Sequence, residues 1–135
     1  KHNNIWVLSS GGDMKELAQL VRVNPETLEI DRVFSFSNLS DSPSNLCINA
    51  YRDRLVFESG GIYEMNIDDQ TLPSENIVSK RDRNIYGLGV APNGDIYFSD
   101  ALDYTQSGYV YRYHYLKQTL DSFSVGIIPG SFTFN

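Results

Sequence analysis

Length, composition and charge place the chain among globular domains and argue against two classes of partner. The 135 residues are 41% hydrophobic and 21% charged, which is typical of a folded domain rather than a disordered segment. The net charge of −6 argues against a nucleic-acid partner, because phosphate binding needs a surplus of Lys and Arg on one face. The apolar runs are far shorter than the roughly 18 residues of a membrane span, so no membrane span is expected.

The first strand-forming unit covers residues 4–36. Its three extended runs are 5–9, 20–24 and 30–36. The stretch 14–20 is the one candidate for helical periodicity, and it is too short to form a helix alone. The unit therefore predicts three strands, which we label B, C and D of a four-strand pattern whose strand A is missing.

Two complete four-strand units follow, at 43–79 and 85–126. The unit at 43–79, the second of the chain, begins at Pro43, and its extended runs are 45–49, 55–59, 62–66 and 76–79. The third contains an Asn93-Gly94 turn, which is a strong hairpin signal because both residue types tolerate positive φ. Its extended runs are 87–90, 96–100, 110–114 and 121–125. Each unit predicts strands A to D in chain order.

An internal repeat connects the three units. Leu20, Ile62 and Val110 begin matching segments 42 and 48 residues apart, and a Thr-Leu pair follows each. Four short strands every 40 to 50 residues is the period of a propeller blade. We therefore expect an all-β chain, a fragment of a β-propeller with about three four-stranded antiparallel blades. A single β-sandwich with a chance repeat is the competing interpretation.

The tail 129–135 repeats the pattern of 43–49 and predicts a lone strand A, offset for ring closure. Three blades cannot close a ring, because propellers typically need four to eight. Two explanations are open. Either the remaining blades belong to a longer parent chain, which we favour, or a second copy exchanges its end strand.

The segment 85–100 resembles blades of the YVTN/YncE-like and NHL-like propellers. The continuation 101–113 and the ending 126–130 are similar to bacterial cell-surface members of that group, in which a Pro-Gly-x-Phe-x-Phe tail ends the protein. The resemblance implies an exported protein in the periplasm or at the cell surface, often a lipoprotein, with further blades upstream. It implies no particular activity, since most such proteins have none assigned.

Candidate ligand residues lie in the loops joining strands B to C and strands D to the next A, because long loops carry function more often than short turns do. Asp100 and Asp103 offer carboxylates for Ca²⁺ or a sugar hydroxyl, with Tyr104 beside them. The alternative, which we favour, is that Asp100 caps its loop by accepting backbone N–H groups.

Two further groups are candidates for ligand contact. Arg81 and Arg83 could meet an anionic ligand such as a carboxylated sugar, or they could belong to a solvated loop. Tyr86 and Asn45 begin the complete A strands and could approach a central channel, where Tyr86 could stack on a sugar face or pack between blades.

Nothing in the sequence indicates a metal, a cofactor or a catalytic set. His2 and His114 have no partner at ligand spacing, so a His-based zinc site is not expected. No Gly-x-Ser-x-Gly, Ser-x-x-Lys or phosphate-binding Gly loop occurs. Cys47 lies in an apolar stretch and is expected to be a buried, unreactive thiol.

These features favour a ligand- or protein-binding module over an enzyme, with a carbohydrate, peptide or protein as partner, and the resemblance implies that it lies outside the cytoplasm. One alternative is a propeller hydrolase or lactonase with a central divalent metal, for which Asn45 is the one inner-strand residue of a fitting type. Another is a structural docking platform in a surface assembly.

Overall fold

The computed structural model describes residues 3–13 and 15–135, and this part of the chain is all-β, with no helix. It therefore contains no helix long and apolar enough to cross a membrane. The strands are β1 (Ile5–Ser9), β2 (Gln19–Val23), β3 (Ile30–Ser35), β4 (Ser44–Ile48), β5 (Arg54–Glu58), β6 (Gly61–Asn66), β7 (Val78–Ser79), β8 (Ile85–Val90), β9 (Ile96–Asp100), β10 (Ser107–His114) and β11 (Thr119–Ile127).

The strands form three antiparallel sheets in which chain neighbours are also sheet neighbours. Their orders are β1-β2-β3, β4-β5-β6-β7 and β8-β9-β10-β11. Leu20 in β2, Ile62 in β6 and Val110 in β10 each pair with a strand on both sides and are each at most 4% exposed. The segments that the sequence analysis aligned therefore lie in interior strands of three successive sheets.

Two apolar layers hold the three sheets together. The middle sheet supplies both layers, because successive side chains of a strand point to opposite faces. Leu55 and Phe57 belong to the layer shared with the first sheet, whereas Val56 between them belongs to the layer shared with the third. Trp6 packs against the first layer and stacks on Phe34 with ring centroids 6.1 Å apart.

The second and third sheets carry the same cross-strand aromatic pair. Phe57 lies opposite Tyr63 with ring centroids 5.7 Å apart and planes 10° apart. Phe98 lies opposite Tyr111 with corresponding values of 5.2 Å and 9°. Stacked pairs of this kind add to the stabilisation from area burial, by about 0.5–1.5 kcal/mol each.

The two ends of these sheets differ. The loop end carries the start of β4 and β8 and the last residues of β5 and β9, which are Glu58 and Asp100. The turn end carries the tight connections 49–54 and 91–95 and the connection after β10. Gly94 has a φ of 89° in its turn, and Arg52 has a φ of 55° in the other. Asn93, a residue type that tolerates positive φ, does not adopt one in this turn.

The tail departs from the expected lone strand. Residues 129–135 form no strand within this chain, and the closing strand stays a prediction, because its partner strand would belong to another blade or to a second copy. A strand needs a hydrogen-bonded neighbour, whereas this segment packs through side chains on the third sheet. The rings of Phe132 and Phe134 lie 6.2 and 5.3 Å from that of Tyr97, and the Ser99 hydroxyl donates to the Pro129 carbonyl.

Local differences also occur in the first two units. Strand β7 spans Val78–Ser79, which is shorter than the expected run 76–79. Met14, at the start of the short helical candidate, lies outside the described residues, and the end of that stretch belongs to β2.

Candidate functional site

Asp100 holds together two connections at the loop end, the one that leads into β8 and the one that follows β9. It is the last residue of β9 and is 3% exposed. Its Oδ1 accepts from the backbone N–H groups of Asn84 and Leu102, each at 2.9 Å. The Asn84 side chain in turn donates to the Leu102 carbonyl at 3.1 Å. Asp100 thus occupies the capping position that the sequence analysis favoured over a ligand role.

Asp103 is bonded within its own loop. Its Oδ1 accepts from the Thr105 backbone N–H at 3.0 Å and from the Thr105 hydroxyl at 2.8 Å, and its Oδ2 accepts from Gln106 at 3.0 Å. The backbone and side-chain bonds from Thr105 lower the pKa of this carboxyl below its ordinary value. The two carboxylates therefore hold separate parts of the loop, and the described residues contain no cluster of three or more potential metal ligands.

Tyr86 and Tyr104 come together at the loop end. Their ring centroids are 5.9 Å apart with planes at 80°, an edge-to-face pair, and each residue is 45% exposed. The side-chain amide of Asn45 donates to the Tyr86 carbonyl at 3.1 Å, so β4 is tied to β8 at this point. The Tyr104 backbone N–H donates to the Ala101 carbonyl at 2.9 Å. Three of the expected site residues are thus adjacent.

Arg81 and Arg83 line one open depression of about 440 Å³ beside β7. The guanidinium of Arg83 lies 4.4 Å from the centre of the Tyr111 ring and donates to the Ser79 carbonyl at 3.1 Å. Its Nε is buried without a hydrogen-bond partner. Arg81 is exposed, with a φ of 52°. Arg83 is therefore largely engaged within the fold, and Arg81 is the cation available to a ligand.

Glu58 is a buried acid that the sequence analysis did not select. It ends β5, is 6% exposed, and accepts from the Gly60 backbone N–H at 2.9 Å and from the Ser44 hydroxyl at 3.1 Å. In the sequence, Glu58 ends the apolar run 55–57 and is followed, after Ser59, by two glycines. Glu58 and Asp100 both fix the loop that follows their strand, because each accepts the backbone N–H two residues ahead.

The turn end has a cavity of about 260 Å³ between the second and third sheets, which the sequence analysis also missed. Its polar lining includes Arg54, Glu64 and Tyr115. These residues come from β5, from β6 and from the connection after β10, so no local pattern marks them. His114, at the same end, has its Nδ1 3.4 Å from an Asp95 carboxylate oxygen, whereas His2 lies outside the described residues.

Cys47 is half-buried in β4, and its thiol donates to the Leu88 carbonyl at 3.4 Å. Burial raises the pKa of this thiol, which disfavours the reactive thiolate at neutral pH.

Comparison with known proteins found no matching family model and no matching curated protein. The functional argument therefore rests on the contacts described above.

Proposed function

We propose that this chain is a three-blade section of a β-propeller and that it serves as a ligand- or protein-binding module outside the cytoplasm. Support comes from the three meander sheets in chain order and from the two apolar layers between them. The aromatic pair repeated in the second and third sheets fits units of one kind. In this proposal β1–β3, β4–β7 and β8–β11 are successive blades.

The edge of the first sheet also fits the proposal. Strand β1 pairs with β2 on one side, and no strand of the described residues pairs with its other edge. An unpaired edge is a ready partner for another strand. The remaining blades of a longer parent chain, or the end strand of a second copy, complete the ring in this proposal.

Solution mass separates these two ways of completing the ring. If a second copy supplies its end strand, the chain should sediment as a dimer, and deletion of 129–135 should return it to a monomer. If further blades supply the contact, this chain alone should be monomeric, and its parent should be longer. A dimer that persists after the deletion would refute strand exchange through this tail.

The proposed extracytoplasmic location, at a bacterial cell surface or in the periplasm, rests on the resemblance of segment 85–100 to YVTN/YncE-like and NHL-like blades. A lipoprotein anchor belongs to the same proposal. Cell fractionation with an antibody to the protein tests it, and recovery in the cytoplasmic fraction alone would refute it.

The observation that carries the binding role is the exposed pair of Tyr86 and Tyr104. A tyrosine offers a large contact area at low conformational entropy, since only two side-chain torsions must be fixed. Here the rings are further restricted by their mutual contact and by loops that Asp100 holds. Such a pre-formed aromatic surface suits the apolar face of a sugar ring or an apolar side chain of a peptide or protein.

A binding screen with paired variants tests this surface. The screen offers glycans, peptides and extracts of surface proteins to the wild type and to a Tyr86→Ala/Tyr104→Ala double variant. Loss of a central aromatic anchor typically weakens binding by about 2 kcal/mol or more, which is roughly 30-fold. Phe123→Ala is the matched control, because Phe123 is an exposed aromatic residue on the outer strand β11. A ligand bound equally well by the double variant would refute the proposed surface.

A further inference from the structure

The turn-end cavity lies between the second and third sheets, at the opposite end from Tyr86 and Tyr104. Its floor includes Val56 and Ile96, both 1% exposed, and its volume is about 260 Å³. Pockets for drug-sized ligands begin at about 300 Å³, so this cavity suits a smaller molecule. The connections 49–54 and 91–95 form part of its rim.

The polar wall of the cavity retains hydrogen-bonding capacity. Arg54 Nη1 donates to Glu64 Oε1 at 3.1 Å, which leaves most of its five N–H donors for other partners. Glu64 Oε2 lies 3.5 Å from the Tyr115 hydroxyl, at the outer limit of a hydrogen bond. A ligand hydroxyl can therefore accept from the Arg54 guanidinium or donate to the Glu64 carboxylate without displacing a short internal hydrogen bond.

The same contacts argue against charged ligands. Glu64 and Asp53 give the lining two carboxylates against the single guanidinium of Arg54, which disfavours an anion. A cation would favour the face of the Tyr115 ring, but the Arg54 guanidinium already lies there, 5.1 Å from the ring centre. Glu64 is paired with that same guanidinium, and Asp53 already accepts from the Asn49 side-chain amide at 2.7 Å, so neither carboxylate is left without a partner for a cation. A neutral ligand remains.

We propose that this cavity binds a single neutral hexopyranose ring. Such a ring has an apolar face for the half-buried Val90, which lines the cavity beside Val56 and Ile96, and adjacent hydroxyls for the guanidinium, carboxylate and phenol groups. Tyr51, 79% exposed at the rim, offers an aromatic face at the entrance. The site is separate from the loop-end surface of the proposed function and does not depend on it.

Titration of the isotope-labelled chain with methyl glucoside, methyl galactoside and methyl mannoside tests the site by amide chemical shifts. Saturable shifts are expected in 49–54 and 91–96 with at least one of the three sugars. Glu64→Gln should weaken this binding by about tenfold, because it replaces a charge-assisted bond with a neutral one. Asp121→Asn is the matched control, since it breaks the cross-strand Arg112–Asp121 pair on the outer edge of the third sheet. The control should bind within about twofold of the wild type.

The wild-type shift map decides the question even if Glu64→Gln does not fold. The absence of saturable shifts with all three glycosides would overturn the site. Shifts confined to the loops around Tyr86 and Tyr104 would also overturn it, while supporting the loop-end surface. Stronger binding of inorganic phosphate or of methylamine at 49–54 would overturn the assignment of a neutral ligand. The two proposals can fail separately: if the loop-end surface binds no ligand, saturable shifts in 49–54 and 91–96 would still support the turn-end site.

Discussion

Replacing Asp100 with alanine should destabilise the fold by releasing two connections at once. Its Oδ1 accepts from two backbone N–H groups at 2.9 Å, one before β8 and one in the loop after β9. The residue is 3% exposed, so water cannot readily take the place of the lost acceptor. The N–H groups of Asn84 and Leu102 would be left without this partner.

The expected loss is about 2–4 kcal/mol of unfolding free energy. A hydrogen bond to a charged group contributes about 1.5–3 kcal/mol, and two bonds to one oxygen contribute less than twice that. Asp100→Asn keeps an oxygen at the position of Oδ1 but loses the charge and replaces Oδ2 with an amide NH2, so its loss should be about 1 kcal/mol. Asp103→Ala should lose less stability than Asp100→Ala, because Asp103 is exposed and bonded only to nearby loop residues.

Urea unfolding followed by far-ultraviolet circular dichroism measures these differences, with and without excess Ca²⁺. Capping predicts that the Asp100→Ala variant loses the most stability and that Ca²⁺ leaves every midpoint unchanged. An alanine variant within about 0.5 kcal/mol of the wild type would refute the capping role. Stabilisation by Ca²⁺ in the wild type that disappears in Asp100→Asn would show instead that this carboxylate is a metal ligand.

Three further predictions concern the turns, the loop acid and the third sheet. Arg52→Gly should raise the unfolding free energy by about 0.5 kcal/mol, because its φ of 55° suits glycine, and Gly94→Ala at φ 89° should lower it by about 1 kcal/mol. Urea midpoints that move in the same direction would contradict this. The pKa of Asp103 is lower in the folded than in the unfolded chain, so its stabilisation is present above the unfolded pKa and is lost as the pH falls through the folded one. An NMR titration that gives an ordinary carboxyl pKa would disprove it. Ser99→Ala should cost about 1–3 kcal/mol and accelerate hydrogen exchange at Gly87, whose N–H bonds to that hydroxyl at 2.8 Å, and unchanged exchange would count against it.

The strands were predictable because their signals are local. Apolar alternation and aromatic residues mark a strand wherever it lies, and β5, β6 and β9 match the expected runs to within a residue. The tail 129–135 has the same composition without forming a strand, because strand formation also needs a hydrogen-bonded partner. That partner is a property of the tertiary structure, which a run of Phe and Thr does not encode.

The candidate site was predictable only as a set of loops at one end. Tyr86 and Tyr104 were both selected, but the sequence did not indicate that their rings meet. The turn-end cavity was not predictable, because sheet packing brings together Arg54, Glu64 and Tyr115, and the first and last of these are 61 residues apart in the sequence. Glu58 was missed because a carboxylate that closes an apolar run does not by itself show that it accepts a backbone N–H of the following loop.

The salt dependence of binding at the loop end follows from which side chains the fold leaves available. Asp100 and Asp103 are bonded to their own loops, and Arg83 is bonded to Ser79 and stacked on an aromatic ring. At the Tyr86–Tyr104 pair itself, the exposed contact area is supplied by uncharged side chains. A ligand that the double tyrosine variant fails to bind should keep its affinity within about twofold between low and high salt, because screening acts on charges. A steep loss of affinity with salt would mean that Arg81 or an acid, rather than the aromatic pair, makes the main contact.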